Sequence, residues 1–420
     1  MTNGHRPTLV VGIVSQWFSP EPVSIPESIC RFLTARGHSV RVLTGFPNYP
    51  TGKLYAGYEN DSPSTETLAG AHVRRLPSFL SHDLSGARRI RSFLSFSWQT
   101  LRHRAFLKST DVNYVYATPM TSAAVALGNR YLFKTPYVLH VQDLWPESVI
   151  DSGMVSAGWK GKALHALIGF GLRPIYRGAK HVIVISTGMK DALVERGVYA
   201  SKISVVLNWD GNEKPDFIGI SAPSSNAHMT ESAPPGIHCV YAGNIGQMQD
   251  VETIVRAASL VENEFPIRIS IYGSGVAESS ISSLIQELGL KSVQLMGRVS
   301  QDEMAEIYGQ ADFLLVTLKD RPVFRMTIPS KFQASMAHGV PVITTVQGDL
   351  AEICVDNGVG LVANAEDPGS LADALRKANA LDSQARARMS IRAAQYYRDE
   401  MSAELALGKV AGLLESASER

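Results

Sequence analysis

Short apolar runs alternate with longer stretches in which apolar positions recur every three or four residues. Residues 9–14 are continuous and β-branched, the pattern of a strand buried on both faces. Residues 28–36 predict a helix, ended by Gly37 where a left-handed cap is needed. Residues 39–43 predict the next strand, and further strands are expected at 112–116, 137–141, 181–185 and 203–207. Strand–helix–strand alternation of this kind means a parallel sheet with crossover helices.

The alternation stops between 211 and 236, where Ser, Pro, Ala and Gly dominate, as in a linker or loop. It resumes with strands expected at 238–242, 267–272, 293–296, 313–317 and 341–344, and helices between them, as at 251–261 and 301–308. The expected class is α/β, with two Rossmann-like domains facing one another across a cleft. The boundaries are 1–208 for the first domain, 209–236 for a linker and 237–395 for the second. One long last helix, over 383–416, is expected to cross back so that 396–420 pack on the first domain.

Composition narrows the classes. Apolar residues make up 45% of the 420-residue chain and charged residues 19%, the profile of a globular protein. A formal net charge of +1 argues against a nucleic-acid binder that relies on bulk charge. Cys30, Cys239 and Cys354 are far apart and form no metal-ligand or disulfide pattern, which fits a reducing cytoplasm. No apolar run reaches the ~18 residues of a membrane-spanning helix.

In open parallel sheets ligands bind beyond the carboxyl ends of the strands, so the loops there are where chemistry is expected. After the strand at 238–242 comes Gly243-Asn244-Ile245-Gly246, then a helix: two glycines admit a ligand to the backbone, and the helix start favours an anion. The same segment also reads as a plain strand-to-helix turn. Gly273-Ser274-Gly275 is a second glycine turn, without the third glycine of a dinucleotide fingerprint, and Arg298-Val299 follow the next strand. Pro329-Ser330-Lys331-Phe332 opens a helix with Ser330 as expected N-cap, so that Lys331 and the first N–H groups form either a diphosphate cradle or an ordinary capped helix. In the first half, Asp143 and Glu147 follow the strand at 137–141; they suit orienting sugar hydroxyls or proton transfer, though Asp143 equally suits a capping role. His140 within the strand reads as a core histidine. Ser186 lacks the surroundings of a hydrolase nucleophile, and no metal site is expected.

Charge is uneven. Between 72 and 109 eight Lys/Arg (Arg74, Arg75, Arg88, Arg89, Arg91, Arg102, Arg104, Lys108) accompany one acid, Asp83. Ile90, Phe93, Leu94, Trp98, Leu101 and Ala105 share one helical face, with Phe96 and Phe106 outside it. This is either a core-facing helix with a solvated basic face or a surface that lies on anionic lipid or holds a polyanionic lipid carrier.

Taken in order, these segments resemble the retaining glycosyltransferases of family 4, of the GT-B fold. ARGHSVRVLTGFPNYPTGKLYAGY (35–58), PYVLHVQDLWPES (136–148) and VIVISTGMKDALVERGV (182–198) look like the acceptor half. YAGNIGQMQDVETIVRAA (241–258), IYGSG (271–275), MGRVSQDEMAEIYGQADFLLV (296–316) and PSKFQASMAHGVPVI (329–343) look like the donor half, and NW at 208–209 like the crossover between them. TGFPNYPTG and QDLWPES are most similar to bacterial enzymes of capsule, O-antigen and colanic-acid-type polysaccharide synthesis.

The resemblance implies transfer of a sugar from a nucleotide-diphosphate sugar to a hydroxyl acceptor, expected to be a lipid-linked glycan intermediate of bacterial surface polysaccharide synthesis. It implies retention, no metal and no cofactor beyond the co-substrate, while the charge pattern argues against a nucleic-acid partner and for peripheral contact with the cytoplasmic membrane face. Catalytic roles fall on Asp143, Glu147, Lys331 and Arg325; donor contacts on Gly243, Asn244, Gly246, Gln249, Gly273, Gly275, Arg298, Val299, Ser330 and Gln333; acceptor or membrane contacts on Arg88, Arg89, Arg91, Trp98, Arg102 and Arg104. The chain departs from the family where its two donor-site glutamates match Met326 and Ala334, where its loop Arg and Lys match Asn244 and Gln249, and where its His before the aspartate matches Gln142. Lys331 and Arg325 are then the expected cations for the diphosphate, and Gln333 a stand-in for a glutamate. A GT-B epimerase or a non-catalytic nucleotide-sugar-binding protein are the competing readings.

Overall fold

A computed structural model describes residues 8–81, 86–147, 159–211 and 236–419. The expected linker at 209–236 lies, apart from its ends, outside the described residues. The chain divides into two compact units: Met1–Leu207 with Ala406–Arg420, and Asn208–Leu405.

The first unit is built on an eight-stranded sheet of β1 (Val10–Val14), β2 (Ser39–Gly45), β3 (Ser64–Leu68), β4 (Ala71–Leu76), β5 (Val112–Ala117), β6 (Tyr137–Val141), β7 (His181–Val184) and β8 (Ile203–Val205). Their order is β3-β4-β2-β1-β5-β6-β7-β8. Only the β3–β4 pair is antiparallel. Every residue of β5 and β6 is buried, as central strands covered on both faces by helices must be. The helices are α1 (Ser24–Ala35), α2 (Gly86–Arg102), α3 (Ala124–Leu132), α4 (Trp159–Gly178) and α5 (Thr187–Glu195).

The second unit carries β9 (Ile237–Ala242), β10 (Ile267–Tyr272), β11 (Val293–Gly297), β12 (Phe313–Val316), β13 (Val342–Thr344) and β14 (Gly360–Val362), all parallel, in the order β11-β10-β9-β12-β13-β14. Around it lie α6 (Val251–Val261), α7 (Glu278–Glu287), α8 (Gln301–Gly309), α9 (Ser330–Ala337), α10 (Asp349–Asn357), α11 (Pro368–Ala380) and α12 (Ser383–Tyr396). Val251, Ile254, Val255, Ala258 and Val261 of α6 pack on Ile269, Ile271 and Phe313 of the sheet, the spacing that one helical face requires. Each unit is a Rossmann-like α/β domain.

Three elements differ from the sequence pattern. The single long terminal helix is broken: α12 ends in a π-helical turn over Tyr397–Met401, Ser402 is extended at φ −60° and ψ 145°, and α13 (Ala403–Ser418) follows. α1 begins before Pro26 instead of after it, because a proline in the first turn forfeits only an N–H that has no helical partner. α2 turns a different face inward than its apolar stripe suggests. Ser92, Phe93, Phe96, Ser97 and Thr100 are buried, while Leu94 and Trp98 are 56% and 61% exposed. Small hydroxyl residues let α2 come close to the strand-end loops: Ser92 Oγ meets Gln16 Nε2 at 3.2 Å and Ser97 Oγ donates to the Thr121 carbonyl at 3.0 Å. Gly37 caps α1 with φ +85°, as its position demands.

Candidate functional site

In the second unit the strand-end loops of β9 and β10 are packed backbone to backbone. Gly273 sits at φ +131°, and a Cβ there would lie 1.8 Å from the Gly243 carbonyl oxygen; a Cβ on Gly275 would lie 2.4 Å from the carbonyl of Ile245. These glycines are therefore required by the close approach of the two loops. Ile245 N–H donates to Ser274 O at 2.9 Å, and Tyr241 Oη donates to the Asn244 carbonyl at 2.6 Å. A Cβ on Gly246 would lie 2.6 Å from the Asn244 amide. Arg298 is exposed and reaches back to Ser274 Oγ at 2.7 Å, beside Val299.

Lys331 projects from the start of α9 into this double turn. Its Nζ donates to Gln249 Oε1, lies 4.8 Å from the centroid of the Tyr241 ring, and its stem fills the space a Cβ on Gly243 would take. Burial lowers the ammonium to about 8. Among the described residues no carboxylate neutralises it. A part-buried cation held by an amide and a ring face, in a glycine-walled turn, is suited to take an anion. Gln249 in turn is fixed by Thr317, whose hydroxyl donates to the Gln249 carbonyl at 2.6 Å.

The other expected donor-side residues are distributed differently. Ser330 is the first helical residue and not the N-cap; that position is Pro329, at ψ 146°, which offers no side-chain acceptor. The first-turn N–H groups of α9 are thus left without a capping side chain. Arg325 forks onto Asp320 at 2.9 and 2.7 Å, lowering the carboxyl of Asp320, so its charge is matched where it stands. Gln333 is buried and donates to the Ile328 carbonyl at 3.3 Å, bracing its own turn. Asp250, which sequence reasoning missed, precedes α6 at φ +51° with one buried carboxylate oxygen unpartnered.

In the first unit Asp143 stands just beyond β6. The surrounding protein raises its carboxyl above the ordinary range, and the Arg89 charge opposes that rise. Arg89 thus lies within electrostatic reach of both Asp143 and Tyr49. Glu147 pairs with Arg196 at 2.9 Å, and Arg196 also donates to the Trp145 carbonyl at 2.8 Å, so this carboxylate fixes its own loop. His140 is a fully buried core histidine, 2.7 Å from Tyr114 Oη and 2.9 Å from Gln142 Nε2, with burial lowering it to about 3. Ser186 caps α5 by accepting from Met189 N–H at 3.2 Å.

Of the expected basic face, Arg75 is fully buried, donating to Gly45 and Ser19 carbonyls and pairing with Glu66. Arg88, Arg91, Arg102 and Arg104 are exposed on or next to α2 around Leu94 and Trp98. Arg91 also lies over the Phe79 ring at 4.2 Å. Among the described residues no helix is long and apolar enough to cross a membrane, and no group of three or more His, Cys, Asp or Glu is placed to hold a metal ion.

Comparison with known proteins agrees with both halves. The family described as "Glycosyl transferase 4-like domain" matches residues 25–209, and "Glycosyl transferases group 1" matches 236–379. The chain is 24% identical to the putative colanic acid biosynthesis glycosyl transferase WcaI of Escherichia coli K12, over 86% of this chain and 90% of the relative. It is 25% identical to the probable glycosyltransferase WbjE of Pseudomonas aeruginosa, over 58% and 60% of the two chains. Among solved structures, HepE of Anabaena in complex with UDP-glucose shares the fold at a TM-score of 0.65 and 14% identity, covering 97% of this chain and all of that one. A glycosyltransferase from Rickettsia africae ESF-5 shares it at 0.65 and 14%, covering 98% and 99%. The chain belongs to the family 4-type glycosyltransferases of GT-B fold and is a nucleotide-sugar-dependent glycosyltransferase.

Proposed function

We propose that this enzyme moves a sugar, with retention at the anomeric carbon, from a nucleotide-diphosphate sugar to a hydroxyl of a lipid-linked glycan in bacterial surface polysaccharide synthesis. The observation that carries the reading is Lys331, an ammonium without a matching carboxylate in a glycine-walled turn. In this reading the donor diphosphate supplies the missing negative charge. As the bond between the anomeric carbon and the diphosphate oxygen breaks, Lys331 and the uncapped N–H groups of α9 meet the charge that develops. The acceptor oxygen bonds to the same face of the anomeric carbon, and its proton passes to the departing diphosphate. No separate protein base and no metal enter these steps. Asp143 orients the acceptor hydroxyl.

The likeness to WcaI supports a role in an exopolysaccharide of the colanic-acid, capsule or O-antigen kind. Leu94 and Trp98 of α2, exposed among Arg88, Arg91, Arg102 and Arg104, support peripheral binding to the cytoplasmic membrane face, where a lipid-linked acceptor resides.

The test is a transfer assay with UDP-, GDP- and dTDP-sugars and polyprenyl-diphosphate-linked sugar acceptors, read by NMR of the product's anomeric centre. The reading expects an anomeric configuration unchanged from the donor and a rate unaffected by EDTA. Inversion, or donor epimerisation without transfer, contradicts it.

A further inference from the structure

Four aromatic side chains gather at the carboxyl edge of the first unit's sheet: Tyr49 and Trp145 lie in the TGFPNYPTG and QDLWPES stretches, and Trp17 and Phe93 come from outside them. Trp17 follows β1, Tyr49 follows β2, Trp145 follows β6, and Phe93 reaches them from α2. The Trp17 and Tyr49 ring centroids are 5.3 Å apart and tilted by 46°. Phe93 meets Trp17 edge-on at 6.4 Å and Trp145 at 5.8 Å. Trp17, Tyr49 and Trp145 remain only part-buried.

The loops that carry them are held rigidly. Glu21 accepts from Phe18 N–H at 3.0 Å, Asn48 N–H at 2.7 Å and Tyr49 N–H at 2.8 Å, which staples the loop bearing Trp17 to the loop bearing Tyr49. Arg196 performs the same service for Trp145. Rings on loops pinned by hydrogen bonds, yet themselves only part-buried, are arranged for contact with something outside the fold.

Polar groups stand among the rings. Gln16, next to Trp17, is only 4% exposed; its Nε2 meets Ser92 at 3.2 Å, while its Oε1 has no partner. A buried acceptor left empty is costly unless a ligand completes it. Asp143 and Arg89 lie within electrostatic reach of Tyr49 and Tyr116 in the same place.

We infer that this aromatic cradle is the binding platform for the acceptor's sugar ring, with the pyranose face laid on Trp17 and Trp145 and its hydroxyls taken by Gln16 and Asp143. A pyranose presents an apolar C–H face bearing slight positive charge and a rim of hydroxyls, which matches ring faces of opposite polarity edged by hydrogen-bonding groups. A hydrocarbon chain would leave Gln16 and Asp143 unanswered. The inference rests on the proposed transfer reaction.

It is tested by titrating the full-length protein with octyl glycosides of glucose, galactose, mannose and N-acetylglucosamine, alone and with UDP, GDP and dTDP present. Tryptophan fluorescence and saturation-transfer NMR report contact, and geranyl phosphate serves as the apolar-chain control. At least one glycoside is expected to bind saturably through its ring protons. Trp17→Ala and Trp145→Ala should weaken it at least tenfold, Trp17→Phe should restore it to within about threefold, and nucleotide binding should stay unchanged. No saturable binding of any glycoside, unchanged binding in both alanine variants, or contact through the alkyl chain alone with equal binding of geranyl phosphate would overturn the inference. Failure of the wild-type protein to bind any nucleoside diphosphate would instead count against the transfer reaction itself.

Discussion

Lys331 and Gly243 are shaped to each other: a methyl group on Gly243 would lie 2.6 Å from Cε of Lys331. Gly243 also sits at φ +147°, in backbone territory that side chains avoid. Gly243→Ala should therefore push the lysine out of its place without removing its charge. The expected result is a drop in transfer rate of at least tenfold with a raised donor KM, measured by steady-state kinetics. Wild-type constants would mean that Lys331 has freedom the packing denies it.

Burial holds Lys331 at about 8, below the ordinary lysine value near 10.4 of an unfolded chain. Between those two values the unfolded chain binds the extra proton, so stability rises with pH there and the full cost of burying the charge persists below pH 8. Lys331→Met should stabilise the ligand-free protein at pH 7 by about 1 kcal/mol, on the order of 2–4 °C in melting temperature for a domain of this size. The gain should shrink as pH climbs past 8. A variant less stable than wild type at pH 7 would show that the ammonium is satisfied after all.

Asp143 should set the acid limb of the rate profile. Its carboxyl is raised by burial, so the active ionised form is lost, as pH falls, above the ordinary aspartate value of ~3.9. Arg89 opposes that rise, and Arg89→Ala should move the limb to still higher pH. Asp143→Asn should remove the limb along with most of the rate. A limb that stays fixed in both variants would assign it to another group.

The outward stripe of α2 gives a separate prediction. Leu94→Ser with Trp98→Ser should abolish sedimentation with phosphatidylglycerol vesicles and leave the melting temperature nearly unchanged, because both side chains are mostly exposed. Retained binding would place the lipid contact elsewhere.

The alternation of strands and helices and the glycine turns were legible because they are local: β-branched runs, Gly37 at a helix end and the pairs Gly243/Gly246 and Gly273/Gly275 carry their own geometry. The inward face of α2 was not, since close approach to Gln16 and Thr121 favours serines over the larger apolar residues that periodicity counts. The N-cap at Ser330 fell one residue away because Pro329 supplies the extended backbone. Arg325 and Glu147 carry suitable chemistry in the chain, but Asp320 and Arg196 claim them in space. That Trp17, Tyr49, Phe93 and Trp145 form one group was not legible, because four separate segments meet only when the sheet forms.

The most direct test of the central claim is calorimetric titration of UDP, GDP, dTDP and ADP into the wild-type protein and Lys331→Ala at pH 7. One nucleoside diphosphate should bind the wild-type protein, and Lys331→Ala should lose about a hundredfold in affinity, which is ~2.7 kcal/mol. Equal affinity in the two proteins, or no diphosphate binding by the wild type, would contradict the assignment of Lys331 to the donor diphosphate.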